Sequence, residues 1–443
     1  NIFNIMVGVS INIFVKKKDS SHEGLASVHY ADVFGTRRYK LDYLKGNTLE
    51  SIPFETITPE APFYQLAKKS DDYAMLKKHY EAGFKLDVFM PNKVQGFTTD
   101  KDVVAIHDSK ESLERLLADM ASDKTDEELR NEYGFKDTQD WSWAAARSAI
   151  RKNKNTDKYI TQVCYRPFDT KWTYLHKDIV GRPRPLIQQS MMGKENLMLC
   201  IGKQGSAIGN TEWSLIFMSS LPTDKNVIPR GGAYLFPMYL YDDLGFRTFN
   251  FAPSVIKEIE CRTRLQLQED TDTERKDSGF LGADIMDYIY AVLHSSEYRS
   301  TYHEFLQNDF PTIPYPKDGT YFLQMAAYGA KLRKLHSLED IQQKDFITQY
   351  PVSEGDDMVT MRKFEECDDG LGKVWINKYR YFDHVPVEAW NLIISGYQPL
   401  DKWLKDRIGK KLNGEDIRHY QKMVVALKKT NDLMTDIDTH IVL

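Results

Sequence analysis

The chain has 443 residues, of which 42% are hydrophobic, and its formal net charge is −5. This composition supports a sizeable core and more than one structural unit, and no apolar run approaches the roughly 18 residues of a membrane span. The negative charge gives the whole molecule no electrostatic reason to bind nucleic acid. Four scattered cysteines without Cys-x-x-Cys spacing indicate reduced thiols rather than zinc ligands, so we expect a cytoplasmic protein without a membrane partner.

The first fifty residues have the pattern of the end of a larger domain. Residues 11–15 are β-prone, residues 26–30 predict a second strand, and a short helix is predicted to end near Leu44. A hairpin that opens a chain has no sheet before it to cover its apolar face. We therefore expect that further sequence precedes residue 1 and that residues 1–50 are a remnant of an upstream domain.

Residues 51–443 predict a mixed α/β fold, with helical segments around a mixed or antiparallel sheet and a helical C-terminal part. Residues 51–157 read as mostly helical, 158–395 as mixed α/β and 396–443 as C-terminal helices. Thr125 is the predicted N-cap of one helix, and Glu128 completes its capping box. Residues 94–106 are predicted to lead through a turn into a strand.

Basic residues are concentrated in one part of the chain. Residues 147–203 hold twelve Lys/Arg against four Asp/Glu, a net of +8, which leaves −13 for the rest of a chain whose total is −5. Such segregation is what a phosphate-binding surface leaves in an otherwise acidic protein. The alternative is a set of solvated charges that point in all directions.

Within this part, residues 165–185 read YRPFDTKWTYLHKDIVGRPRP and combine arginines, aromatics and prolines. Proline biases the preceding residue toward extended backbone, so Arg182 and Arg184 are predicted to point to the same side of a stiff strand. Arginine suits bidentate contact with phosphate or guanine. Arg166 is expected to be partly buried and to brace the strand through Asp169. The aromatic residues are expected to divide between the core and a ligand.

Catalytic signatures are missing. The sequence contains no GxGxxG, no Walker A lysine loop, no HExxH and no GxSxG. Asp157, Asp169 and Lys171 could form half of a Mg²⁺ nuclease motif, but we favour the alternative that Asp169 caps or pins the turn after Phe168. We identify no catalytic residue and no metal ligand in the sequence. The residues that carry recognisable chemistry are those suited to binding a ligand.

These residues carry a resemblance to a known family. YRPFDTKWTYLH and GRPRP resemble the characteristic box in the C-terminal target-recognition region of Type ISP restriction–modification enzymes. VQGFTTDKD, FPMYLY, DYIYAVLHSSEYRSTYHEFLQNDFPTIPYPKD and GYQPLDKWLKDRIGKKLNGEDIRHYQKMVVALKKT are similar in order and spacing. Lys101 and Thr312 stand where the family usually has arginine.

The resemblance implies a specificity domain that follows the tail of an adenine methyltransferase domain. In the family, one polypeptide joins a nuclease, a translocating ATPase, the methyltransferase and this domain. The parent enzyme is implied to use S-adenosylmethionine, ATP and Mg²⁺, while this fragment, which lacks the (Asn)-Pro-Pro-Tyr motif, is expected to use no cofactor and to be non-catalytic. Its implied partners are double-stranded DNA and the upstream domains.

We therefore expect sequence-specific recognition of double-stranded DNA, with phosphate contacts that position the domain and a few side chains that read bases. The alternative is a scaffold that binds no nucleic acid and clamps the methyltransferase to the motor. The expected supporting residues are Tyr165, Phe168, Asp169 and Trp172. The expected DNA contacts are Lys101, Arg166, Lys171, Arg182, Arg184, Lys203, Gln204, Lys402, Lys405, Arg407, Lys410 and Lys411.

Overall fold

The computed structural model describes residues 10–16, 18, 25–61, 64–137, 141–153, 157–203, 211–269, 274–351, 354–367 and 369–443. The chain divides into two compact units, Asn1–Lys78 and His79–Leu443. The sequence-based boundary at residues 50 and 51 therefore lies inside the first unit. In the described part of the chain, no helix is both long enough and apolar enough to cross a bilayer.

The described residues of the first unit contain little regular structure. Its strands β1 (Val28–Tyr30) and β2 (Glu55–Ile57) pair antiparallel, and helix α1 (Arg37–Gly46) begins after Thr36, whose hydroxyl accepts a hydrogen bond from the Tyr39 N–H. The predicted strand at residues 11–15 is wrong, since this segment has no regular structure and Phe14 is 84% exposed. A strand needs a hydrogen-bonding partner, and β1 pairs with β2 instead.

The following elements begin the second unit, in an order that alternates short strands with helices. They are α2 (Tyr73–Glu81, across the boundary between the units), β3 (Phe84–Lys85), α3 (Leu86–Phe89), β4 (Val94–Gln95), α4 (Asp102–Ala105), α5 (Lys110–Ala121), α6 (Asp126–Tyr133) and α7 (Trp143–Lys152). The Thr125–Glu128 capping box on α6 is confirmed. The strand predicted after residue 100 is wrong, because Asp102–Ala105 forms a helical turn.

Strands dominate the middle of the second unit, as the sequence predicts. They are β5 (Ile160–Arg166), β6 (Asp169–Tyr174), β7 (Met198–Gly202), β8 (Ile216–Ser219), β9 (Ala233–Pro237), β10 (Tyr239–Tyr241) and β11 (Arg247–Phe249), with α8 (Pro185–Met191) between β6 and β7. Strands β4, β9, β7 and β8 form one antiparallel sheet in that order. β5 pairs with β6, and β10 pairs with β11.

Helices dominate the last part. The elements are α9 (Pro253–Thr263), β12 (Gln266–Leu267), β13 (Gly279–Phe280), α10 (Gly282–His294), α11 (Ser296–Thr301), α12 (His303–Leu306), β14 (Thr312–Ile313), α13 (Gly319–Ser337), β15 (Lys363–Glu366), β16 (Leu371–Trp375), β17 (Tyr381–Pro386), α14 (Val387–Asn391), α15 (Pro399–Lys405) and α16 (Gly414–His440). The mixed α/β fold with a helical C-terminus is confirmed.

Within the core, α10 and α13 pack against each other and against α16. Their approach is close, because a Cβ on Gly329 of α13 would lie 1.8 Å from the Asp287 carbonyl oxygen of α10. Two histidines are buried here. The His336 Nδ1 lies 2.5 Å from the Tyr290 hydroxyl, and its Nε2 lies 3.1 Å from the Thr430 hydroxyl. Burial, with a smaller effect of the Arg299 charge, lowers the pKa of His336 to about 3.

We expect the protein to lose stability as pH falls below neutrality, in part through His336. Its pKa is near 6.5 in the unfolded chain and lower in the fold, so its stabilising contribution is present above pH 6.5 and is lost as pH falls toward 3. At pH 5 the loss should be roughly 2 kcal/mol. Urea unfolding of the parent and of His336→Gln at pH 7.5 and 5.0 measures this.

The comparison with His336→Gln is needed because the titration of Asp224 changes stability with pH in the direction opposite to that of His336. Burial raises the pKa of Asp224 to about 6, although Arg166 opposes that shift, and protonation of this carboxyl therefore favours the folded state as pH falls. The difference in free energy of unfolding between parent and His336→Gln cancels this effect. A difference that is the same at both pH values would contradict the prediction.

Candidate nucleic-acid interface

The segment Tyr165–Asp169, which we call the YRPF box, contains the turn of the β5–β6 hairpin. Arg166 and Asp169 face each other in the strand register, and Pro167 and Phe168 complete the turn. Phe168 has a positive φ of 62° and is buried. Its carbonyl oxygen accepts a hydrogen bond from the Nε2 of His419 on α16, at 2.7 Å. The hairpin turn is thus attached to the C-terminal helix.

Arg166 is buried, as expected, but its carboxylate partner differs from the prediction. Its Nη1 lies 2.8 Å from Oδ1 of Asp224, which caps the short 3₁₀ helix Lys225–Val227. The guanidinium also lies over the Tyr165 ring, with its carbon 3.8 Å from the ring centroid. The half-buried Tyr165 in turn donates a hydrogen bond to Asp102 at 2.7 Å. Arg166 therefore braces the hairpin against the loop after β8.

Asp169 forms ion pairs with two basic side chains in the protein interior. Its Oδ1 lies 3.0 Å from the Arg407 Nη2 and 3.3 Å from the Lys171 Nζ. The Arg407 guanidinium lies flat on Trp403, 3.5 Å from the ring centroid. Burial alone would raise the pKa of Asp169, but the charges of Arg407 and Lys171 outweigh it and lower that pKa. Asp169 thus stays ionised at neutral pH and joins β6 to the end of α15.

Three predicted DNA contacts are therefore corrected. Arg166, Lys171 and Arg407 are buried and paired with carboxylates, so their charges support the fold instead of facing a duplex. The count of basic residues cannot reveal this, because it does not show which charges are solvated. The structure also contradicts the nuclease hypothesis, because Asp169 lies in an internal ion pair and does not face a site that substrate could enter. Among the described residues, no group of His, Cys, Asp and Glu side chains could hold a metal ion.

The Arg-Pro-Arg-Pro segment is different. Arg182 is exposed, and its backbone pairs with Thr98 through two hydrogen bonds of 3.0 and 3.1 Å. Asp100 packs against Gly181 beside it, since a Cβ on this glycine would lie 2.0 Å from the Asp100 Oδ2. Arg182 therefore has the extended geometry that the sequence predicts, and its side chain makes no ion pair within the described part of the chain.

Arg184 departs from the prediction. It has a φ of 61° and a ψ of 103°, and it is the N-cap residue of α8, directly before Pro185. The chain turns here because the helix begins at the next residue, so the two arginines do not continue one extended strand. Arg184 is half-buried, and its Nε is buried without a hydrogen-bond partner among the described residues. A non-glycine residue in this region of φ and ψ is strained.

The remaining predicted contacts are partly engaged. The Lys101 Nζ donates to the Lys136 carbonyl oxygen at 3.1 Å. Lys402 pairs with Asp406 at 2.5 Å and Lys410 pairs with Asp108 at 2.7 Å. Lys405 and Lys411 are exposed and, within the described residues, form no ion pair. Gln204 lies outside the described residues. Of the expected supporting residues, Trp172 is half-buried and pairs with His107 through its backbone.

Several loops lie together at one end of the four-stranded sheet. β4 and β7 both pair antiparallel with β9, so both end where β9 begins. Lys203 directly follows β7, and the Thr98–Arg182 pairing joins the segment after β4 to the Arg182 loop. Gly96 lies against Lys225, since a Cβ on Gly96 would lie 2.5 Å from the Lys225 Cα. Four separate parts of the chain therefore meet at this end.

Basic side chains surround this end of the sheet. Lys225 and Arg230 were not among the DNA contacts predicted from the sequence. The sequence signal at Arg230 is the pair of glycines that follows it, and residues 230–232 have positive φ values of 51°, 137° and 81°. Lys203 is partly neutralised by Asp309, at 3.5 Å. We call this set the basic rim. It consists of Arg182, Lys203, Lys225 and Arg230.

Sequence and structure comparisons agree with this architecture. The Type ISP C-terminal specificity domain family matches residues 88–436. The chain belongs to this family. The Type ISP prediction is thereby confirmed, together with the fold class. Among curated protein sequences, no significant match exists.

Three solved structures share the fold of this specificity domain. One is a nuclease-deletion mutant of the Type ISP enzyme LlaGI in complex with a DNA substrate mimic, with a TM-score of 0.64 and 20% identity over 95% of this chain and 40% of that chain. The second is the DrdV–DNA complex, with a TM-score of 0.66 and 16% identity over 93% of this chain and 43% of that chain. The third is the ATP-dependent Type ISP enzyme LlaBIII bound to DNA, with a TM-score of 0.67 and 17% identity over 97% of this chain and 28% of that chain. This chain thus spans less than half the length of each of these proteins.

Proposed function

We propose that this specificity domain recognises double-stranded DNA in a sequence-specific manner within a restriction–modification enzyme. The observation that carries the proposal is the family match across residues 88–436. The exposed cations support it. Arg182 of the basic rim, together with Lys405 and Lys411, presents a charge that no carboxylate neutralises within the described residues. Such side chains can bind phosphate without first breaking an ion pair.

The same proposal assigns a different role to the YRPF box. Arg166 and Asp169 hold the hairpin to the loop after β8 and to the end of α15, and the Phe168 carbonyl oxygen holds it to α16. DNA contact is assigned to the basic rim and to Lys405 and Lys411. The proposal thus separates the residues that build the surface from the residues that touch the duplex.

Chemistry is assigned to other parts of the polypeptide. S-adenosylmethionine, ATP and Mg²⁺ belong, in this proposal, to upstream methyltransferase, ATPase and nuclease domains, with residues 1–50 as the tail of the first. The residues present here do not fit those groups, since the sequence lacks the (Asn)-Pro-Pro-Tyr motif and the described residues contain no metal-binding cluster. The four cysteines are free thiols, which suits the reducing cytoplasm.

Binding to a random-sequence duplex at several salt concentrations tests the proposal. Each neutralised phosphate releases counterions, so several Lys/Arg contacts should give a log–log slope on the order of −4 or steeper. Between 50 and 200 mM salt, the affinity should then fall by about 250-fold. Fluorescence anisotropy of a labelled duplex measures it. A flat response would favour the alternative, in which the charges form protein interfaces of a scaffold.

A further inference from the structure

The tip of the β10–β11 hairpin exposes two large apolar side chains. Leu244 is 83% exposed and Phe246 is 70% exposed. Among the described residues of the second unit, no other large hydrophobic side chain is as exposed as these two. Apolar groups at such a position contact water unless another molecule covers them. The proposed function does not use them.

The tip is preorganised. The Asp242 Oδ1 accepts hydrogen bonds from the backbone N–H groups of Leu244 at 2.9 Å and Phe246 at 2.8 Å. The Gly245 N–H donates to the Asp242 carbonyl oxygen at 3.0 Å, and Gly245 has a φ of 89°, which favours glycine. The loop backbone is therefore fixed before any partner arrives, and little conformational entropy is lost when the side chains are covered.

The hairpin lies next to the arginine segment. β10 packs on α8, and the Gln189 Nε2 donates to the Asp243 Oδ1 at 3.3 Å. α8 begins directly after Arg184, and four helical residues rise about 6 Å. The apolar tip thus lies within one short helix of the Arg182 and Arg184 side of the surface. β9 separates the tip from Lys203 and Arg230, so a duplex held by the basic rim reaches the tip where it runs past Arg182 and along α8.

The charged residues around the tip determine whether it can attract the phosphates of DNA. Lys194 lies over the Tyr241 ring at 4.9 Å and Arg247 lies over the Tyr239 ring at 4.4 Å. Asp242 and Asp243 offset these two cations. The tip therefore does not attract phosphates by itself, and its contribution to binding is apolar.

We propose that Leu244 and Phe246 form a wedge that enters a base step of the duplex bound by the basic rim. This inference rests on the proposed function. Leucine and phenylalanine are among the side chains that unstack base pairs when they are inserted into DNA, and the cost of unstacking is offset by the bend and the wider contact that follow. A rigid hairpin with both side chains exposed has the geometry for this insertion, because neither residue needs to leave the protein core.

A pair of duplexes tests the wedge. The two have the same 30-bp sequence, and one contains a single central mismatch, which lowers the cost of unstacking. The parent chain should bind the mismatched duplex roughly tenfold more tightly. The variant Leu244→Ala/Phe246→Ala should lose this preference and keep the melting temperature of the parent. Ile347→Ala, which removes an exposed apolar side chain of another segment, is the control and should keep the preference.

The outcomes separate the two proposals. If the parent binds neither duplex, the proposed function fails. If the parent binds both duplexes equally, or if the Leu244/Phe246 variant keeps the mismatch preference, DNA binding stands and the wedge is overturned. A variant that binds both duplexes like the parent but no longer binds the rest of the restriction enzyme would identify the tip as a protein contact and would also overturn the wedge.

Discussion

Replacing Asp169 with alanine should lower the free energy of unfolding by roughly 3–5 kcal/mol, the usual cost of breaking a buried ion pair. Asp169 is 4% exposed and lies between Arg407 and Lys171. Its removal takes the shared interior carboxylate from two buried cations, which leaves Lys171 with Asp108 and Arg407 with Asp416, at 3.8 Å. Urea unfolding of the parent and the variant measures the loss.

Two further variants make this result specific. Lys410→Ala removes a half-exposed partner of Asp108 and should cost at most about 1 kcal/mol. The double variant Asp169→Ala/Arg407→Met should be more stable than Asp169→Ala alone, because it also removes the buried cation that loses its nearest carboxylate. If Asp169→Ala unfolds within about 1 kcal/mol of the parent, the ion pair does not hold the box in place.

Replacing Arg182 and Arg184 with alanine should weaken duplex binding by about 1–3 kcal/mol through loss of the Arg182 contact, and should leave the melting temperature nearly unchanged. Only the backbone of Arg182 is engaged within the described residues. Alanine at residue 184 keeps the same strained φ, and removing the Arg184 side chain also removes a buried, unpartnered Nε. Affinity and melting should be measured on the same preparations.

The control for this pair is Lys334→Ala, which removes a half-exposed lysine of α13 outside the basic rim. It should change neither affinity nor melting measurably. If the Arg182/Arg184 double variant binds like the parent but melts at a lower temperature, the segment is part of the packing. Duplex contact would then have to be assigned to other cations, with Lys405 and Lys411 as the next choice.

Local chemistry made much of the fold predictable. The capping box at Thr125, the strands on either side of the YRPF turn and the long C-terminal helix all follow from patterns within a few residues of one another. The errors arose where structure depends on a distant partner. Residues 11–15 have strand propensity but no strand to pair with, and residues 102–105 form a helical turn where a strand is predicted.

The candidate site was less predictable for the same reason. The sequence identifies the extended backbone at Arg182, because proline follows it directly. It does not show that Arg166 has a carboxylate 58 residues away, or that Asp169 pairs with an arginine 238 residues away. A list of basic residues therefore mixes those that hold the fold with those that face solvent. Only the burial of each side chain separates them.

The distance along the chain between Asp169 and Arg407 also matters while the protein is being made. These two residues are 238 positions apart, so the carboxylate leaves the ribosome long before its guanidinium does. At about 5–20 residues per second the delay is roughly 12–48 s. During that interval the β5–β6 hairpin carries an ionised group that cannot be buried favourably. The nascent specificity domain therefore completes this part of its core only after translation has passed α15, and a ribosome that stalls earlier would leave the hairpin exposed to proteases.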